Sequence, residues 1–216
     1  MTTRDSERDE LLELLLAEEL AREQALGRVP PRRDLGPAPL SFSQQRLWFI
    51  DQLEGGTAAY NEPRTLLLEG PLRVTELEAA LTILVARHET LRSVLPSSGG
   101  VAVQDVRPPW SVRLEIVDLT AEADPFAALR ERVELELARP FELERGPLWR
   151  VALVRLGSER HALLHTQHHT ITDGWSTEVF NRELFTLYVA ACNGAVDTCE
   201  AWLGSNCHVT ITESTA

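Results

Sequence analysis

The run His168-His169-Thr170-Ile171-Thr172-Asp173-Gly174 joins two segments of different periodicity. Before it, His161–His168 reads as a strand, linked through residues 157–160 to a preceding strand over Trp149–Leu156. After it, Ser176–Ala191 carries Phe180, Leu184 and Leu187 at helical spacing. The two histidines therefore stand at a strand end entering a turn, where scaffolds present reactive side chains. Gly174 can take backbone angles closed to other residues and leaves room for a ligand. Asp173 can fold back to hold the turn, or pair with an arginine. Histidine suits proton transfer near neutral pH, because its ordinary pKa is about 6.5. Adjacent histidines at a strand end are also common as packing residues, so the pattern alone leaves both readings open. His165, His168, His169 and Asp173 are chemically fit to bind a metal. Consecutive strand residues point to opposite faces, however, which sets His168 and His169 against sharing one ion, and no metal site is assigned.

Outward from this run, strand and helix periods alternate. Residues 41–53 read as a helix and Thr65–Glu69 as a strand. Thr75–Arg87 reads as a helix with Leu77, Leu81 and Leu84 on one face and a capping box of Thr75 and Glu78. Leu91–Leu95 and Val101–Val106 read as a hairpin, and Val112–Val117 as a strand. Asp124 caps a helix with Pro125 in its first turn, and Phe126, Leu129, Val133 and Leu137 are expected inside. This mixture predicts an α/β (α+β layered) fold, a mixed sheet flanked by helices. Residues 6–26 read as an amphipathic helix within an N-terminal unit 1–27. Residues 28–39 hold Pro30, Pro31, Pro37 and Pro39 and read as a linker. The main body is expected over 40–192, and 193–216 as a divergent, disordered tail.

Composition narrows the function classes. Net charge is -12, which argues against a nucleic-acid surface. The sequence contains no lysine; its arginines still allow local phosphate contacts. No apolar run approaches the ~20 residues of a membrane helix, and the acidic N-terminus does not resemble a secretory signal. A cytoplasmic location is the default expectation. The three cysteines, Cys192, Cys199 and Cys207, match neither a disulfide framework nor a C-x-x-C metal site.

The His168–Gly174 run is similar to the His-His-x-x-x-Asp-Gly signature of condensation domains of nonribosomal peptide synthetases and their wider acyltransferase superfamily. Further stretches match in order. Ser41-Phe42-Ser43-Gln44-Gln45-Arg46-Leu47-Trp48-Phe49 resembles the family's first motif, and Arg87-His88-Glu89-Thr90-Leu91-Arg92-Ser93 its second. Tyr60-Asn61-Glu62-Pro63 and Pro140-Phe141-Glu142-Leu143, followed by Pro147-Leu148, resemble stretches between the motifs. The likeness covers about residues 39–192.

The resemblance implies one lobe of a chloramphenicol-acetyltransferase-like fold, in which two lobes flank a tunnel. Carrier proteins bearing phosphopantetheine arms dock at its mouths, and neighbouring synthetase modules are the other partners. Neither a nucleic acid nor a membrane is expected as a partner. The chain itself is expected to bind no cofactor. By the resemblance His169 is the catalytic residue, with His168, Asp173 and Gly174 supporting it. Ser41, Gln44, Arg46, Trp48, Arg87, His88, Glu89 and Arg92 are expected as scaffold, with Leu47, Trp48 and Phe49 in the core. Arg64, on a nearby predicted strand, is one candidate partner for Asp173; relatives often carry an arginine three positions later, where this chain departs from the pattern with Leu67. Gln44–Phe49 with Tyr60–Pro63 resembles the class joining an L-donor to an L-acceptor. Family members run to about twice this length, and the likeness fades after Ala191. One lobe gives one wall of the tunnel, so the 216 residues alone are expected to be weakly active or inactive. A non-catalytic carrier-binding lobe and an acyltransferase acting on hydroxyls are the competing readings.

Overall fold

Short apolar strands separated by amphipathic helices can bury both faces of a sheet only if helices cover each side. The computed structural model, which describes residues 36–194 and 210–214, has that arrangement. In chain order it contains β1 (Ala38–Pro39), α1 (Phe42–Glu54), β2 (Asn61–Glu69), α2 (Val74–Arg87) and a 3-10 turn (Glu89–Arg92). There follow β3 (Ser93–Val94), β4 (Ser97–Ser98), β5 (Val101–Val106), β6 (Glu115–Asp118) and α3 (Pro125–Ala138). The order closes with β7 (Trp149–Arg155), β8 (Arg160–His168), α4 (Gly174–Cys192) and β9 (Thr210–Ser214).

The main sheet runs β6-β7-β8-β2-β9, with only β6 and β7 parallel. Its central strand, β8, is buried from His161 to His168 without alternation, because helices cover both faces. On one face, Leu66, Leu68, Leu153 and Leu163 meet Leu77, Leu81 and Leu84 of α2 and Phe180, Leu184 and Leu187 of α4. On the other face, Val154, Ala162 and Leu164 meet Leu129 and Val133 of α3. A smaller sheet, β1-β5-β3 with β4 also on β5, lies beside it in sequence order.

Several elements differ from their sequence expectation. β2 begins at Asn61, four residues earlier, and takes Pro63 into the strand. β9 pairs only with Thr65–Glu69, so Pro63 lies where β2 is an edge, the place a sheet tolerates proline. The expected capping box of α2 is absent: Arg73 occupies the cap position without a side-chain bond. Glu78 instead accepts the Leu114 N–H at 2.9 Å and pairs with Arg113 at 2.7 Å. Residues 89–92 form a turn rather than a strand start, and the strand expected over 112–117 is confined to Glu115–Asp118. Val112 and Leu114 are buried all the same. Phe126 and Leu137 of α3 are exposed, because the helix lays only its Leu129–Val133 stripe on the sheet. Phe49 is exposed as well, while Leu47 is buried and Trp48 packs against the core.

At the ends, Ala38–Pro39 of the expected linker pairs with β5. Thr210–Ser214, within the expected tail, is extended and pairs with β2. The amphipathic helix read over 6–26 and most of the linker lie outside the described residues.

Candidate functional site

β8 delivers His168 and His169 to opposite sides of the sheet. His168 has no exposed surface. Its ring lies edge-on to Phe141 and Tyr60, at centroid separations of 6.1 and 6.4 Å. Nδ1 accepts the Thr170 N–H at 3.2 Å and lies 2.9 Å from the Thr170 hydroxyl. Burial lowers the His168 pKa to about 4, helped by the nearby His169. At neutral pH this ring is therefore an uncharged structural pin, holding the start of the turn through Thr170.

His169 is different. Its side chain is 43% exposed. Its N–H donates to the Tyr60 carbonyl at 2.9 Å, so the backbone stays tied to the residue before β2. Its ring Nδ1 touches the Glu62 carboxylate, and the outer ring nitrogen is left for other contacts. A pocket of about 250 Å³ is lined by Gln167, Thr172, Trp175, Ser176, Phe180 and His88 among others, with His169 itself outside the lining. Residues on both sides of His169 in the chain thus form its wall. Trp175 stands at the lip, 75% exposed.

Asp173 and Gly174 complete the turn, in a simpler way than expected. Asp173 is the N-cap of α4 and accepts the Ser176 N–H at 2.7 Å. The bond to Ser176 holds the Asp173 carboxyl below its ordinary pKa, with a smaller contribution from His169. Arg64, the candidate partner, pairs instead with Glu62 at 3.8 Å. Leu67 packs with the α3 cluster. Gly174 is the first residue of α4 and does not use a left-handed backbone angle; a Cβ there would meet nothing within 4 Å. The glycine therefore leaves open space above the helix start rather than relieving strain.

Of the motif residues read as scaffold, Ser41 and Gln44 reach this turn through one hydrogen-bonded chain. Ser41 caps α1, and its N–H bonds back to the Gln44 side chain. Gln44 Nε2 then reaches the Thr170 carbonyl and the Gln104 side chain, both at 3.2 Å. Gln104 Nε2 continues to the Ser93 hydroxyl at 3.0 Å, at the end of the second motif. His88 bonds to Glu183 of α4 at 2.7 Å, and Arg87 lies 3.6 Å from the same carboxylate. Arg92 holds the Arg107 carbonyl and Glu89. Arg46 and Trp48 lie away from this network: Arg46 is exposed and Trp48 is half-buried.

Glu62 and Gln104 escaped the reading of the sequence as site neighbours. Their proximity follows from strand register, which no local pattern carries. His165, on the same face of β8 as His169, is 1% exposed and stacks on Phe180 at 4.9 Å. Neither of its ring nitrogens has a partner among the described residues. Among those residues no group of three metal-ligating side chains gathers.

Residues 35–197 match the family described as Condensation domain. Malpinin synthetase of Mortierella alpina is 41% identical over 179 residues, covering 82% of this chain and 2% of that protein. Cyclosporin synthetase simA of Tolypocladium inflatum is 44% identical over 160 residues, covering 74% of this chain and 1% of that protein. A variant of the starter condensation domain of rhizomide synthetase RzmA, crystallised with C8-CoA and Leu-SNAC, superposes with a TM-score of 0.69 at 27% identity. That match covers 74% of this chain and 36% of the other. The chain thus spans a small fraction of the synthetases and little more than a third of the solved protein.

Proposed function

Because this chain belongs to the condensation-domain family of nonribosomal peptide synthetases, we propose that it forms one wall of an amide-forming tunnel, with His169 as the catalytic residue. The observation that carries this reading is the contrast at the end of β8. His168 is sealed and pinned, while His169, one residue on, is half-exposed in a turn whose flanking residues Gln167, Ile171 and Thr172 line a pocket.

The chemistry joins two thioester-borne substrates, each on the phosphopantetheine arm of a carrier protein. The acceptor amine attacks the donor carbonyl carbon, a C–N bond forms and the C–S bond breaks. The amine's proton passes to His169 and then to the departing sulfur. Holding the two ends together can lower such a barrier by roughly 7–11 kcal/mol, whereas a general base is worth about 10²–10⁴-fold. Placement therefore outweighs proton transfer, and both walls of the tunnel are required for it. The 216 residues alone are weakly active or inactive for this reason. The first-motif stretch and Tyr60–Pro63 support an L-donor and an L-acceptor.

The test loads one carrier with a donor and a second with an acceptor amino acid. This chain is added together with a polypeptide supplying the second lobe, and dipeptidyl-carrier is measured by mass spectrometry. Product is expected, reduced about 10²–10⁴-fold by His169→Ala. Equal product from both proteins overturns the role of His169. Carrier binding without product gives the non-catalytic reading, and transfer only to a hydroxyl acceptor gives the ester-forming one.

A further inference from the structure

Glu62 reaches the His169 ring across the main sheet. β2 and β8 pair antiparallel with Asn61 opposite His168 and Glu62 opposite Gln167. Side chains alternate between faces, so Glu62, Gln167 and His169 point the same way. Diagonal neighbours on one face lie within reach of long side chains. One Glu62 oxygen touches His169 Nδ1, and the other lies 3.8 Å from the Arg64 guanidinium, two residues along the same strand. Glu62 and Arg64 are only 25% and 32% exposed, so both are partly shielded from water.

An ionised carboxylate can only accept a hydrogen bond, so the nitrogen facing it must carry the proton. In a neutral imidazole the other nitrogen then holds the free lone pair. We propose that Glu62 is a positioning residue that holds neutral His169 as its Nδ1–H tautomer and leaves Nε2 free to take a proton, with Arg64 steadying Glu62. The inference rests on the reading of His169 as the proton acceptor. In the transfer step the amine proton arrives at Nε2 and leaves from Nε2 to the thiolate sulfur. The Glu62 carboxylate offsets the imidazolium charge between those two moments. His168 supplies an internal contrast: its Nδ1 accepts from Thr170, so its proton sits on Nε2. Two consecutive histidines are thus held in opposite tautomers, each by one neighbour.

Ring nitrogens of the 15N-histidine-labelled chain report this directly, through two-bond proton–nitrogen correlations at a pH where the rings are neutral. His169 is expected to show a protonated Nδ1 and a bare Nε2, and His168 the reverse. Glu62→Ala moves His169 to the Nε2–H form that predominates for histidine in water. Glu62→Gln, which keeps an acceptor oxygen, retains the Nδ1–H form. A protonated Nε2 on His169 in the unaltered chain overturns the proposal without any variant. Unchanged His169 signals in a Glu62→Ala chain with a native-like amide spectrum overturn it too. With the second lobe present, Glu62→Ala should lower kcat about 10²-fold with KM unchanged, the scale of a misplaced catalytic group. Full activity of His169→Ala would remove the acceptor reading. A wrong tautomer with His169→Ala inactive would remove only the role of Glu62.

Discussion

One step along β8 takes the chain from His168, closed in by Phe141 and Tyr60, to His169, open to water. Three residues earlier, His165 stacks on Phe180 with neither ring nitrogen paired among the described residues. Burial lowers the pKa of both His165 and His168 to about 4, from 6.5. The sign of the consequence follows from proton counting. Between pH 6.5 and 4 the unfolded chain protonates these histidines and the folded chain does not. Stability is therefore full above pH 6.5 and falls as pH drops toward 4, by about 3 kcal/mol per ring. Denaturant midpoints measured from pH 7.5 to 4.5 should fall accordingly. His165→Leu, which replaces an unpaired polar ring with an apolar group of similar size, should remove about half of the fall. A midpoint independent of pH would show that the rings are hydrated. The type and order of these histidines are plain in the sequence. Which of them is sealed is not, since β8 lies at the centre of the sheet and loses the alternation that would have told inside from outside.

The helices show where local chemistry governs and where it yields. Asp124 caps α3 through the Phe126 and Ala127 N–H groups, as its position before Pro125 suggests. The last turn of α3 has no such local signal. Its Leu137 and Arg139 carbonyls are bonded by Asn61 from β2, both at 2.8 Å. Asp173 sits at the start of α4, and the cap geometry assigns it to the helix rather than to an arginine. Asp173→Ala should therefore cost about 1 kcal/mol in chemical denaturation, and Asp173→Asn close to nothing, because asparagine caps as well as aspartate. A large loss in the Asn variant would reveal a role for the charge that the cap does not explain. Glu78 makes the converse case. Its spacing from Thr75 spells a capping box, yet bonds to Leu114 and Arg113 from a distant loop take the carboxylate.

Among the described residues, α1 and α3 each carry three exposed large apolar side chains. Phe42, Phe49 and Leu53 of α1 are 91%, 57% and 70% exposed and recur at seven- and four-residue steps, so they share a face. An apolar face left in water favours self-association. Sedimentation of the 216 residues should show a mass that rises with concentration, and Phe42→Glu with Phe49→Glu should suppress the rise while leaving stability within about 0.5 kcal/mol. A single mass at every concentration in the unaltered chain would show that the face is tolerated as it stands. The sequence by itself determined the family, the order of most helices and strands, and the histidine pair at a strand end, because periodicity, caps and short motifs are local properties of the chain. Only the tertiary structure decided that Gln44 joins Thr170 to Gln104 and, through it, to Ser93, that Glu62 meets the His169 ring, and that Arg64 turns to Glu62. Those contacts depend on strand register and on how helices settle against a sheet, and a shift of one residue in pairing would move each side chain to the other face.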